Sequence, residues 1–337
     1  MKQMKKVLIW VVISVIGVPF FITFSCEPAH AQKAIEWRML VSWTAEDTAV
    51  KRIIVPFVDR VNQRAAGKLK ISTFGPEAVP PFQQLKPVRD GLFDALFTHP
   101  AYHMGDISLA QGFDLVSATG KERRDAGLVR IVDEAYRKRV NITYLGAAPD
   151  GVGYNLILRK KIDKADLTGL KIRTNPFYDP LVKALGGAAV GIAPGEIYTA
   201  LEKGVVDGST WPSTGITDYK WYEVTKYLLR PRFGDGCRGI LVNLNSWNRL
   251  PKDLQDLLTK AVLETEEETP RMFRAILESE EKELQKRGME LLVLPPAEAQ
   301  KFLNTFYERS WAELVVKRDP EYGQKLKEAA DPLIKKK

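Results

Sequence analysis

Arg173 is the residue on which a binding chemistry is most readily built. It closes the run Gly169-Leu170-Lys171-Ile172-Arg173, alternating there with the apolar Ile172. On a strand its guanidinium therefore leaves the apolar face. A planar guanidinium can donate two parallel, charge-assisted hydrogen bonds to one carboxylate; a surface ion pair is the alternative use. Arg159 ends a preceding apolar stretch and offers a second positive charge, although Lys160 and Lys161 beside it suit a solvated strand end. Tyr154 and Asn155 lie earlier in that stretch, where they can hydrogen-bond a ligand or pack a hinge. His99 and His103 stand four apart, a spacing that suits a transition-metal pair on a helix. Pro100 opposes a regular helix across them and no third His or Cys ligand accompanies them, so no metal and no other cofactor is expected. His99 reads instead as a hydrogen-bonding cleft residue, with Tyr102 beside it.

Turnover chemistry has no comparable signature. The chain lacks Gly-x-Ser-x-Gly, His-Glu-x-x-His and a Gly-rich phosphate loop. A secreted enzyme would have to rest on paired carboxylates hidden among 42 acidic residues. The expectation is a binding protein without catalytic residues.

Glu36-Trp37-Arg38-Met39-Leu40-Val41 suits a strand and runs into a polar loop carrying Trp43. Ile53, Phe57 and Val61 share one face of a following helix, with Ile54 near it, and Pro56 must fall in its first turn or kink it. A weak internal repeat then gives the plan of the chain. Leu69-Lys70-Ile71-Ser72-Thr73 returns as Leu170-Lys171-Ile172-Arg173-Thr174. Pro81-x-Gln83-x-Leu85-x-x-Val88-x-x-Gly91-Leu92-Phe93-Asp94 returns as Pro194-x-Glu196-x-Tyr198-x-x-Leu201-x-x-Gly204-Val205-Val206-Asp207. On this alignment the second copy has twelve extra residues between strand and helix. Strand–helix–strand units repeated in this way imply two lobes with mainly parallel sheets. Ligands of open α/β sheets sit beyond the carboxyl ends of the strands. That rule makes 97–102 and 209–212 the ligand-facing segments and brings Trp211, before Pro212, to the cleft as an apolar wall.

Composition bounds the rest. With 45% hydrophobic and 27% charged residues the chain suits a globular protein, not a disordered or disulfide-built one. Lys2, Lys5 and Lys6, an apolar run over 7–24 and Ala29-His30-Ala31 form a signal peptide expected to be cut after Ala31. An uncleaved anchor or lipidation at Cys26 is the alternative. Cleavage loses three lysines and Glu27, so the formal charge falls from +8 to +6, which suits an anionic ligand. Basic residues are scattered among acids and Lys335-Lys336-Lys337 reads as a solvated tail, so nucleic acid is not an expected partner. Cys237 is the one cysteine after the signal and has no disulfide partner.

Gly169-Leu170-Lys171-Ile172-Arg173, then Leu185-Gly186-Gly187, then Glu196-x-Tyr198-x-Ala200-Leu201-x-x-Gly204-x-Val206-Asp207-Gly208 resemble the solute-binding subunits of TRAP transporters, the DctP-like family. The resemblance covers essentially the whole chain after the signal. It implies a two-lobed α/β fold of the type II periplasmic binding-protein kind, a periplasmic location, and delivery of a carboxylate to sodium-driven membrane permease subunits. It implies that Arg173 grips the carboxylate and that Thr210 and Trp211 line the site. The segment from Trp211 through 222–237 is similar to the branch that binds 2-oxo or 2-hydroxy acids through a cation. That branch has Glu where this chain has Thr210, and Asp235 falls where another acidic site residue is implied.

The expected organisation is a signal peptide over 1–31, lobe I over 32–149 with about 237–265, and lobe II over 150–236. Helices over 266–337 brace both lobes. The substrate-binding set is Arg173, Trp211, Thr210, Tyr154, Asn155, His99, Tyr102, Trp43, Asp235 and Arg159. A long charged helix is expected from 252 to about 286 with breaks near Thr269-Pro270; it leaves a homodimer open. The same fold could also serve a sensor module.

Overall fold

The computed structural model describes residues 34–334. The signal-peptide segment with Cys26 and the lysine tail lie outside the described residues. Eleven strands form two sheets among the described residues. The first contains β1 (Ile35–Val41), β2 (Leu69–Phe74), β3 (Ala95–Thr98) and β4 (Ile142–Pro149). The second contains β5 (Tyr154–Leu158), β6 (Lys171–Thr174), β7 (Ala188–Gly191), β8 (Gly208–Pro212) and β9 (Tyr227–Arg230). β10 (Cys237–Asn243) returns to the first sheet, and β11 (Glu290–Val293) joins the second. The orders are β2-β1-β3-β10-β4 and β11-β9-β5-β8-β6-β7.

Each sheet contains one strand running against the rest. β10 is antiparallel to β3 and β4, and β5 is antiparallel to β8 and β9. These are the strands that the chain enters after its first two passages between the sheets. The two passages lie side by side: Asp150 N donates to Gly236 O at 2.8 Å and Tyr154 N to Phe233 O at 2.8 Å. Gly153 there has φ +71°, and a Cβ on it would stand 2.7 Å from Gly234 O, so only glycine fits between the strands.

The repeat is present in three dimensions, but not in the register read from sequence. In both sheets the Asp after the positive-φ glycine pins the neighbouring strand. Asp94 Oδ2 accepts from Arg38 N on β1, and Asp207 Oδ2 accepts from Lys171 N on β6, both at 2.9 Å. Met39 faces Ala95 as Ile172 faces Gly208. β6 is therefore the counterpart of β1, not of β2. The twelve apparent extra residues disappear, because helix and strand separate β1 from the Pro81 segment as they separate β6 from the Pro194 segment.

The helix carrying Phe57 and Val61 begins as a widened turn, Val50–Ile54, and continues as Val55–Arg64 with Pro56 in its first turn. Ile53, Ile54, Phe57, Val58 and Val61 are buried, each worth about 1.5–3 kcal/mol if fully removed from water. The expected break near Thr269-Pro270 is absent: Lys252–Lys286 is one helix. A proline ring removes one helical N–H but need not end a helix whose other bonds are held by packing. Phe273 and Leu284 after it are buried like Leu258 and Val262 before it. This helix packs on β4 and leads into β11, giving a third passage between sheets. Pro296–Ser310 is helical, as expected. No helix among the described residues is long and apolar enough to cross a membrane.

Candidate functional site

The carboxyl ends of β1, β3, β6 and β8 face a common cleft. At the end of β6, Arg173 is completely buried. Its Nε donates to Ile192 O at 2.9 Å and its Nη1 to Thr210 O at 3.1 Å. Nη2 is buried and makes no well-formed hydrogen bond; the Tyr102 hydroxyl is the polar side chain that interacts with this guanidinium. Burial lowers its pKa from the ordinary arginine value, partly offset by the hydroxyls of Tyr102 and Tyr178. The Trp211 ring lies 5.3 Å from its guanidinium carbon.

Trp211 is held by edge contacts to Tyr219 and Trp221, with centroids 5.5 and 4.8 Å away. Glu280, from the helix Lys252–Lys286, fixes the loop between them by accepting from the backbone N–H of Gly215 and Thr217, both at 2.8 Å. On the facing side Trp43 packs on Phe97 and Tyr102. His99 Nδ1 accepts from Ala101 N, which assigns the proton to Nε2. That nitrogen lies 3.2 Å from Asp114 Oδ1 and 3.0 Å from the Tyr154 hydroxyl, which itself donates to Asp114.

Trp43, His99, Tyr102, Tyr154 and Trp211 thus converge on one small space of about 20 Å³. That volume holds about one water molecule. Asn175, Tyr178, Pro212 and Arg238 complete its lining. The two sides also meet directly: the Tyr219 hydroxyl donates to Asp47 Oδ2 at 2.9 Å and Thr48 N to Asp218 Oδ2 at 2.7 Å. A larger groove of about 620 Å³ runs between Gly120–Asp125 and Lys252–Lys286. Its Lys121, Arg124 and Arg271 are paired with Asp125, Glu266 and Glu267, and its Arg274 is exposed to solvent, so it lacks the buried uncompensated charge seen at Arg173.

Five of the expected site residues do not line this space: Arg173, which stands beside it against the Trp211 ring, and four that are held elsewhere. Asn155 points to the opposite face of β5, where its Oδ1 accepts from Arg230 Nη1 at 2.8 Å. Arg159 is exposed at the far end of β5. Because β5 runs against its neighbours, its amino end, not its carboxyl end, reaches the cleft. Thr210 is buried, with its hydroxyl donating to Arg173 O at 3.1 Å and its carbonyl holding Arg173. Asp235 sits in the second passage between the sheets. It pairs with Arg123 Nη2 at 2.7 Å and accepts from Gly151 N at 2.8 Å.

His99 and His103 do not form a metal pair. The segment Pro100–His103 is a 3₁₀ turn, and His103 Nε2 lies 2.8 Å from the Tyr136 hydroxyl. Burial, then the neighbouring His99, hold the His103 pKa down at about 3, so it is neutral.

Asn175, Tyr178, Arg238, Asp47 and Tyr219 escaped the sequence reading. Asn175 had a usable signal, since it stands two residues after Arg173 and shares its strand face. The others reach the cleft through turns and inter-sheet contacts that carry no local pattern.

Comparison with known proteins supplies the wider setting. The family model described as bacterial extracellular solute-binding protein, family 7, matches residues 40–317. A monocarboxylate 2-oxoacid-binding periplasmic protein of Nostoc sp. is 28% identical over 243 residues. That alignment spans 68% of this chain and 66% of the relative, just under two thirds of its length. A TRAP periplasmic solute-binding protein from Desulfovibrio salexigens, solved with bound orotic acid, superposes with a TM-score of 0.80 at 20% identity, covering 88% of this chain and 98% of that one. A TRAP solute-binding protein from Bordetella bronchiseptica, with calcium and picolinate, superposes at 0.77 and 22% identity, covering 89% and 91%.

Proposed function

The chain belongs to the bacterial extracellular solute-binding proteins of family 7, and from that premise we propose that it captures a small organic carboxylate beside Arg173 and delivers it to the membrane subunits of a TRAP transporter. The observation that carries this reading is the buried Arg173 guanidinium with a free Nη2 and no acidic partner. A buried charge is tolerated when a counter-charge meets it, and a ligand carboxylate supplies one. The protein acts by binding alone, in the periplasm, after removal of residues 1–31. Residues 32–149 with about 237–265 act as lobe I and 150–236 as lobe II, with 266–337 bracing both. The 20 Å³ space is too small for any carboxylic acid, so entry requires the lobes to part and capture requires them to close.

Binding needs no divalent cation in this reading. Thr210 presents no carboxylate and Asp235 is already engaged by Arg123 and Gly151. Cations such as calcium need several oxygen ligands, and affinity falls as ligand charge falls. A thermal-shift screen of organic acids in excess chelator tests both statements. A carboxylate at 100 times its Kd should add about 2.7 kcal/mol of stability. Stabilisation lost on chelation and restored by calcium would overturn the cation-free site; no stabilisation by any carboxylate would overturn the function.

A further inference from the structure

The cleft carries one uncompensated positive charge. Arg173 has no acidic partner, whereas Arg238, the second guanidinium at the cleft, has Asp150 Oδ2 at 3.2 Å and also feels the charge of Asp47. Asp47 is buried beside them, its oxygens accepting from Ala49 N at 2.7 Å and from the Tyr219 hydroxyl at 2.9 Å. Both bonds suit a carboxylate, which accepts only. The space that Arg238 lines is walled by aromatic rings, Trp43, Tyr102, Tyr178 and Trp211, and the Trp211 ring also covers Arg173.

Building on the carboxylate reading, we propose that the cleft selects a monocarboxylate with a flat, apolar body, and that Asp47 is the residue that excludes a second carboxylate. A dianion closing into this space would lose water around both charges but find a free cation for only one. Its second carboxylate would approach Arg238, where Asp150 already supplies the counter-charge and Asp47 adds like-charge repulsion. Specificity then comes from a repulsive element as well as an attractive one. The apolar body of the ligand meets ring faces in place of water.

The test pairs aromatic and aliphatic monocarboxylates, benzoate and butanoate among them, with dicarboxylates of the same skeleton, such as terephthalate and succinate. Affinities are measured by calorimetry on the wild-type chain, Asp47→Asn and Arg173→Ala. Wild type should prefer the monocarboxylate of each bound pair at least tenfold. Asp47→Asn, whose Oδ1 can still accept from Ala49 N while its Nδ2 donates to the Tyr219 hydroxyl oxygen, should narrow that preference at least tenfold by improving dicarboxylate binding. Dicarboxylates that bind wild type as tightly as monocarboxylates, and through Arg173, overturn this inference while leaving the carboxylate reading intact. An unchanged ratio in Asp47→Asn removes Asp47 from the selection, and binding of neither series overturns both readings.

Discussion

Arg173→Ala should fold but bind its carboxylate at least a few-hundredfold more weakly than the wild type. Removing one partner of a buried charge pair costs on the order of 3–5 kcal/mol, and each 1.4 kcal/mol is tenfold in Kd. The geometry puts the full effect on binding. Nε and Nη1 are fixed by Ile192 O and Thr210 O, so the guanidinium is already held when a ligand arrives, with Nη2 unpartnered. Without ligand the variant loses two hydrogen bonds to carbonyls but also sheds a buried charge whose pKa burial already depresses. These effects oppose each other, so its ligand-free stability should stay within about 2 kcal/mol of wild type. Arg173→Lys keeps the charge without the fork and should weaken binding by less. Calorimetry decides: binding within about threefold of wild type would place the anion elsewhere.

Arg123→Ala should instead destabilise the fold, by on the order of 3–5 kcal/mol, through loss of a buried pair and the space its side chain fills. Arg123 is 1% exposed and bonds Asp235 Oδ2, Val116 O and Cys237 Sγ from the first-sheet side of the passages. Burial by itself lowers its pKa, but Cys237, Asp235 and Asp114 raise it above the ordinary value. Burial pushes the Asp235 carboxyl up to about 7, against the pull of Arg123 and with the help of Asp150. The pH dependence follows in sign. A carboxyl with a raised folded pKa stabilises most when protonated and loses that contribution as pH rises through the folded value. Removing Arg123 raises that value further, so the deficit should be larger at pH 8 than at pH 5. Arg123→Met with Asp235→Asn, which restores volume and removes the charge, should recover much of the loss. Urea unfolding across this pH range measures it; a deficit below about 1 kcal/mol at every pH would show that the passages are held by other contacts.

Five of the expected residues line the cleft and Arg173 stands beside it, and local rules reach all six. Arg173 alternates with Ile172, Trp211 and His99 follow apolar strands, and Tyr102, Tyr154 and Trp43 lie in the segments that leave or enter those strands. Arg159 was misplaced because nothing local shows that β5 enters its sheet against its neighbours, and Asn155 because it alternates with Tyr154 onto the other face of that strand. Strand direction reverses which end meets the ligand. The repeat was legible in its glycine–aspartate punctuation, where a positive φ and a side-chain acceptor for the next strand demand those residues. Its strand register was not, because Leu-x-Ile alternation fits β2 and β6 equally well and only sheet neighbours distinguish them. Asp47 and Tyr219, 172 positions apart, meet only when the two sides of the cleft do.

A crystal structure of the chain with a carboxylate found in the thermal screen decides whether Arg173 is the anion anchor of a ligand-capturing cleft. The carboxylate should lie within about 3 Å of Arg173 Nη2, under Trp211 and beside Tyr102 and Tyr178, in a cleft widened to hold it. A carboxylate bound elsewhere, with Arg173 still making only its two carbonyl bonds, would contradict it.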